Sequence, residues 1–174
     1  MSHDPSRGAL PLAPGKRAET IEEALLSRRS LRAFRPDPVP RETIERLVRL
    51  ASHVVASEGG AALVTGADDP RIAAERLSAS HPGFICVTAG EKGCWWGEGG
   101  TIRHTPAPVV EAVDTLAAGD VFHGAFAFGL VEGWALQSVV GFASAAAAIK
   151  CTRFGGRLGA PTRKEVATFL ARLA

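Results

Sequence analysis

Strand-like runs alternating with helical ones predict an α/β layer structure with a mainly parallel sheet for the larger part of this 174-residue chain. Three observations carry that reading. The run Gly83-Phe84-Ile85-Cys86-Val87-Thr88 is short, apolar and begun by glycine, the pattern of a strand buried on both faces. Two long apolar helical patterns follow, at 118–132 and 136–150. The small-residue turn Asp114-Thr115-Leu116-Ala117-Ala118-Gly119-Asp120 runs straight into the first of them.

Taken in order, residues 1–18 are rich in Pro, Gly and Ser and read as a disordered leader. From Glu19 the pattern turns helical, with Ile21, Ala24, Leu25 and Leu26 on one face and Arg28 and Arg29 near the C-terminal end. Pro36, Pro38 and Pro40 break it, and a second helix starts near Arg41 with Ile44, Leu47, Val48 and Ala51 as its apolar stripe. A short helix at 73–80 follows Asp68-Asp69-Pro70. Gly93-Cys94-Trp95-Trp96, a Gly-rich turn and Thr101-Ile102-Arg103-His104 read as a hairpin. Adjacent residues of a strand point to opposite faces, so one of Trp95 and Trp96 is expected in the core and the other partly exposed. A last helix is expected at 163–173. The chain has no internal repeat.

A formal charge of +2 is too small to imply nucleic acid or a membrane surface, and no basic run concentrates it. Cys86, Cys94 and Cys151 are too few and too scattered for a disulfide framework or a zinc site. Cys86 lies in the apolar run and is expected in the core. A reducing cytoplasm is the simplest setting. No apolar run is long enough to span a bilayer, and the start lacks the apolar segment of a secretory signal.

The chemistry concentrates at Asp114–Asp120. A turn opening a helix exposes backbone N–H groups with no helical acceptor, and the helix dipole adds partial positive charge at the same place. Ala117, Ala118 and Gly119 carry no bulk, so an anion can approach the backbone, and Asp120 stands where it can take a proton from a nucleophile. A phosphoryl-transfer enzyme needs that arrangement. The plain alternative is a helix with an Asp in its first turn.

This turn resembles the second signature of the ribokinase-like (PfkB) carbohydrate kinases. The likeness continues through Phe142-Ala143-Ser144-Ala145-Ala146-Ala147-Ala148-Ile149-Lys150-Cys151-Thr152-Arg153-Phe154-Gly155-Gly156 and Pro161-Thr162, the family's closing helix and nucleotide-side loop. It covers about residues 53–174 and implies the carboxyl-terminal part of a ribokinase-like three-layer sandwich, transferring phosphate from ATP to a hydroxyl of a sugar or sugar-derived substrate. Asp120 would be the catalytic base, and the amides of Ala117, Ala118, Gly119 and Asp120 the anion hole. Thr88-Ala89-Gly90-Glu91-Lys92-Gly93 matches the family's Thr-x-Gly-x-x-Gly turn, placing Thr88, Gly90 and Gly93 against the nucleotide; it reads equally as an ordinary strand-to-hairpin turn. No Walker A loop occurs. Cys151, Thr152, Phe154 and Gly155 would shape the adenine pocket, or simply end a helix at Gly155-Gly156.

Asp114 would help hold a monovalent cation such as K+, or act as a turn residue bonding its own backbone. Val54-Val55-Ala56-Ser57-Glu58 resembles the strand leading to the family's Asn-x-x-Glu motif, which serves Mg2+ and phosphate. Ser57-Glu58-Gly59-Gly60 aligns with that motif and lacks both defining residues, leaving Glu58 as a shifted substitute or a solvated strand-end residue. His123, three residues after Asp120, is a candidate general acid or a packing-boundary residue.

Residues 19–50 resemble something else, the amino-terminal start of a nitroreductase, through Ser27-Arg28-Arg29-Ser30-Leu31-Arg32-Ala33-Phe34 and Pro36-Asp37-Pro38-Val39-Pro40. That likeness implies FMN phosphate at Arg28, Arg29 and Ser30; the alternative is an amphipathic helical hairpin with a solvated basic end. The expected division is therefore a leader at 1–18, a nitroreductase-like helical fragment at 19–51 and a kinase part at 52–174. In the kinases the sugar-binding residues and lid belong mainly to an amino-terminal half without a counterpart here. The expectation is a truncated, impaired kinase whose sheet edge is exposed and open to homo-oligomer contacts. A non-catalytic nucleotide-binding remnant and an FMN-dependent nitroreductase fragment are the alternatives.

Overall fold

Helices and strands alternate as expected over residues 39–173, the part of the chain that the computed structural model describes. The leader, the helix from Glu19 and the Arg28-Arg29-Ser30 turn lie outside the described residues. The order is α1 (Arg41–Leu50), β1 (His53–Ser57), α2 (Glu58–Thr65), α3 (Pro70–Ser80), β2 (Phe84–Thr88), β3 (Cys94–Glu98), β4 (Thr101–Thr105), α4 (Ala118–Val131), α5 (Leu136–Cys151) and α6 (Arg163–Leu173). Single 3-10 turns lie at Gly90–Lys92 and Arg157–Gly159.

The strands form one sheet in the order β1-β2-β3-β4. The parallel pairing expected from the alternation is found between β1 and β2, from His53 opposite Phe84 to Ser57 opposite Thr88. This pair is joined by the long crossover through α2 and α3 that parallel strands need. β3 and β4 then make the sheet mixed. Each follows its neighbour through a short connection, the last being Gly99-Gly100, so each must run antiparallel.

The alternating side chains of β2 and β3 serve two cores. Phe84, Cys86, Cys94 and Trp96 pack against Phe122 and Phe126 of α4 and Val139, Val140 and Ala143 of α5. Ile85 and Val87 pack on the other face against Ala61 of α2 and Ala73, Ala74 and Leu77 of α3. The result is helix, sheet and helix in three layers, with α6 added outside through Val166 against Phe142 and Ala145. Cys86 is fully buried, and the two tryptophans separate as expected. Trp96 is in the core with its indole N–H donated to Thr105 Oγ1 at 2.8 Å, and Trp95 is half-buried and stacked on His104.

Local chemistry sets the helix starts. Asp69 caps α3 by accepting from the amides of Arg71 and Ile72 at 2.9 Å, and Pro70 stands at the first helical position, three residues before the expected start. Thr162 and Glu165 form a reciprocal capping box on α6. α2 was not among the expected helices, and its Gly59-Gly60 pair is unfavourable in one. Ser57 caps it by accepting from Gly60 N at 3.1 Å, and Ala61 is buried beneath it.

Among the described residues nothing pairs with the outer edge of β1, and Val54, Val55 and Ala56 are only half covered. No described helix is long and apolar enough to cross a membrane.

Candidate functional site

Packing on the sheet decides where α4 begins. Phe126 lies against Phe84 at the start of β2, with ring centroids 5.1 Å apart. One turn earlier, His123 Nε2 lies 3.2 Å from the carbonyl of Val55, further along β1. α4 therefore runs against the strands, and its first turn reaches the carboxyl ends of β1 and β2, where Ser57 and Thr88 stand. Open α/β sheets bind their ligands at that end.

At the head of α4, Ala117 adopts a left-handed conformation (φ 61°, ψ 15°), the sole non-glycine residue to do so among those described. This bend turns the following amides outward. Ala118 N is the exception: it donates to Thr115 O at 3.1 Å and closes the turn. Of the four amides expected to form an anion hole, that of Ala118 is thus bonded within the turn, and those of Ala117, Gly119 and Asp120 meet no backbone acceptor among the described residues. Asp120 is exposed in the first turn of the helix, beside these donors.

The 151–156 segment is bonded directly to this turn. Val113 N and Asp114 N both donate to Cys151 O, at 2.8 and 3.1 Å. Asp114 Oδ1 accepts from Leu116 N at 2.8 Å and Oδ2 from Gly155 N at 2.9 Å. These two amides, with the Lys150 ammonium beside them, hold the Asp114 carboxyl below the usual carboxylate range. Of the two roles expected for Asp114, the turn-bonding one is what the geometry shows. Gly156 completes the join, since a Cβ there would lie 3.2 Å from the Cβ of Ala117. Cys151 is half-buried, and burial pushes its thiol up. The Thr152 hydroxyl is spent on Ile149 O at 2.7 Å.

The Thr88–Gly93 turn shares this end of the sheet but is tied elsewhere. Thr88 Oγ1 donates to Ala56 O at 3.3 Å, and Lys92 Nζ lies 3.6 Å from Glu58 Oε2. Gly93 is demanded by the hairpin, because a Cβ would stand 2.1 Å from Thr105 O. Gly90 faces open space.

Ser57 and Glu58 are occupied as a helix cap and as the partner of Lys92, and no described cluster of three His, Cys, Asp or Glu side chains could hold a metal ion. His123 sets both ring nitrogens against carbonyls, Gly119 O at 2.7 Å and Val55 O at 3.2 Å. The ring bridges β1 and the head of α4, and in its neutral form it donates to one of the two carbonyls. Lys150 and Gly156 are site residues that sequence reasoning missed. For Lys150 the one available signal was a charge at the end of a run of buried alanines.

A cavity of about 390 Å3 lies on the α4 face turned from the sheet, among Val121, Phe128, Phe142, Pro161 and Val166. Arg163 is the one charged residue on its wall, with its guanidinium over Phe128 and Trp134. It reads as a gap between helices.

Comparison with known proteins agrees with this geometry. The profile of the family described as pfkB family carbohydrate kinase matches residues 10–163, a range that takes in the stretch with the second resemblance. A ribokinase of Bacillus subtilis (strain 168) is 32% identical over 134 residues, 77% of this chain and 43% of that protein. A solved Agrobacterium tumefaciens protein described as a ribokinase is 46% identical, with a TM-score of 0.74 over 78% of this chain and 45% of that one. An E. coli protein described as a ribokinase II, solved with ATP and Mg2+, is 26% identical, with a TM-score of 0.68 over 76% and 43% of the two chains. The chain spans less than half the length of each of these relatives.

Proposed function

Because the chain belongs to the pfkB family of carbohydrate kinases, with its ribokinase-like α/β fold, we propose that it binds ATP at the head of α4 and serves phosphoryl transfer to a hydroxyl of a sugar or sugar-derived substrate. One observation carries this: the unpaired amides of Gly119 and Asp120 and the Asp120 carboxylate share the first turn of a helix at the carboxyl edge of the sheet. The amides receive charge on the transferring phosphoryl group, and Asp120 accepts the proton of the attacking hydroxyl. Cys151 and Gly155 border the nucleotide, and Gly90 leaves room for its phosphates. Magnesium fits as the nucleotide's own counter-ion, since the described side chains offer it no dedicated ligand set.

Turnover by this chain is expected to be slow. By family resemblance, the residues that orient the sugar belong to an amino-terminal half, and orientation is worth roughly 7–11 kcal/mol. Nucleotide binding without catalysis is the second reading, favoured by Ser57 and Gly60 standing where the family has Asn and Glu. The outer edge of β1, unpaired among the described residues, supports association with another copy.

Asp120→Asn separates the two readings. Phosphotransfer from ATP to a sugar panel should fall about 10²–10⁴-fold, with ADP affinity by calorimetry unchanged. Transfer persisting in the variant would place the base elsewhere, and a wild-type chain that binds ADP and transfers nothing would leave the second reading standing.

A further inference from the structure

Lys150 is fully buried, yet it is a charged residue. Its ammonium donates to Asp114 O at 2.7 Å and Arg153 O at 3.3 Å, and lies 3.3 Å from Asp114 Oδ2. A carboxylate and main-chain carbonyls converging on one point are what a monovalent cation takes as ligands, and an ammonium has nearly the size of a potassium ion. The family resemblance implies such an ion at Asp114. Here the residues do not fit one, because a second cation on Asp114 would sit against the ammonium, like charge on like in a buried place.

We infer that the Lys150 ammonium is the resident cation of this turn, so that the site takes no separate potassium ion. Lys150 is a positioning residue. It acts through Asp114, whose carboxylate in turn fixes Leu116 N and Gly155 N and so joins the Asp114–Asp120 turn to the 151–156 loop. The inference does not depend on the chain being an active kinase, and its test reads stability.

The full chain is melted in KCl, NaCl and choline chloride at one ionic strength, which holds general screening constant. The wild type should melt at the same temperature in all three salts. Lys150→Met vacates the ammonium's place, so it should melt lower in choline and regain about 3 °C or more in KCl specifically. Lys150→Gln, which keeps a hydrogen-bond donor without the charge, should show the same selective recovery and serves if the Met variant does not fold. A potassium-specific rise in the wild type, or a folded variant indifferent to potassium, would overturn the inference.

Discussion

Ala117 holds the bend that aims the site, and it does so in a conformation that costs a residue with a Cβ about 1–2 kcal/mol. Glycine would relieve that strain, offset in part by roughly 0.4–1 kcal/mol of added freedom in the unfolded chain. Ala117→Gly should therefore raise the stability of the chain by about 0.5 kcal/mol in urea unfolding; a loss would mean the bend is not strained. At this scale the sequence was uneven. Asp120 and the small residues before it were legible, because helix-start chemistry is local. The inward turn of Ala118 N was not, since it depends on Thr115 O meeting it across a bend. Lys150 was not legible either, because its partner Asp114 stands 36 residues away and a lysine ending a helix ordinarily reads as a solvated dipole partner.

Elements were most legible where a cap or a long apolar pattern announced them. α3, α4, α5 and the hairpin of β3 and β4 fall within a few residues of their expected places. α2 was not among those expected, and it forms because the Ser57 cap and the burial of Ala61 outweigh the poor propensity of Gly59-Gly60. The start of α6 makes a pH prediction. The Arg153 guanidinium, followed by the amide and hydroxyl of Thr162, holds the Glu165 carboxyl down to about 2, against an ordinary 4.5. Its unfolded form binds a proton more readily, so its contribution is present above pH 4.5 and is lost as pH falls toward about 2. Asp114, also held low, acts in the same direction. In thermal melts between about pH 6 and about pH 3, Glu165→Gln should lose less stability than the wild type. Equal losses would show that ionisation of Glu165 adds no pH-dependent stability.

The whole molecule places its chemistry by layering. Phe122 and Phe126 bury one face of α4 on the sheet, which points the helix's first turn beyond β1 and β2. α5 returns antiparallel to α4, and its end meets the same turn through Asp114, Cys151 and Gly155. Layering was readable from the alternation of strands and helices. The antiparallel pairing of β3 with β4 was readable as a hairpin, whereas the seating of β3 on β2 was not read. The central claim is that phosphate is received by the open amides at the head of α4. Backbone amide shifts of the isotope-labelled chain, followed as a non-hydrolysable ATP analogue that carries the γ-phosphoryl group is added, test it most directly. The amides of Gly119 and Asp120 should shift most, with Ala117 and Gly155 beside them. Saturable binding that leaves Gly119 and Asp120 unmoved, or no binding at all, would contradict the claim.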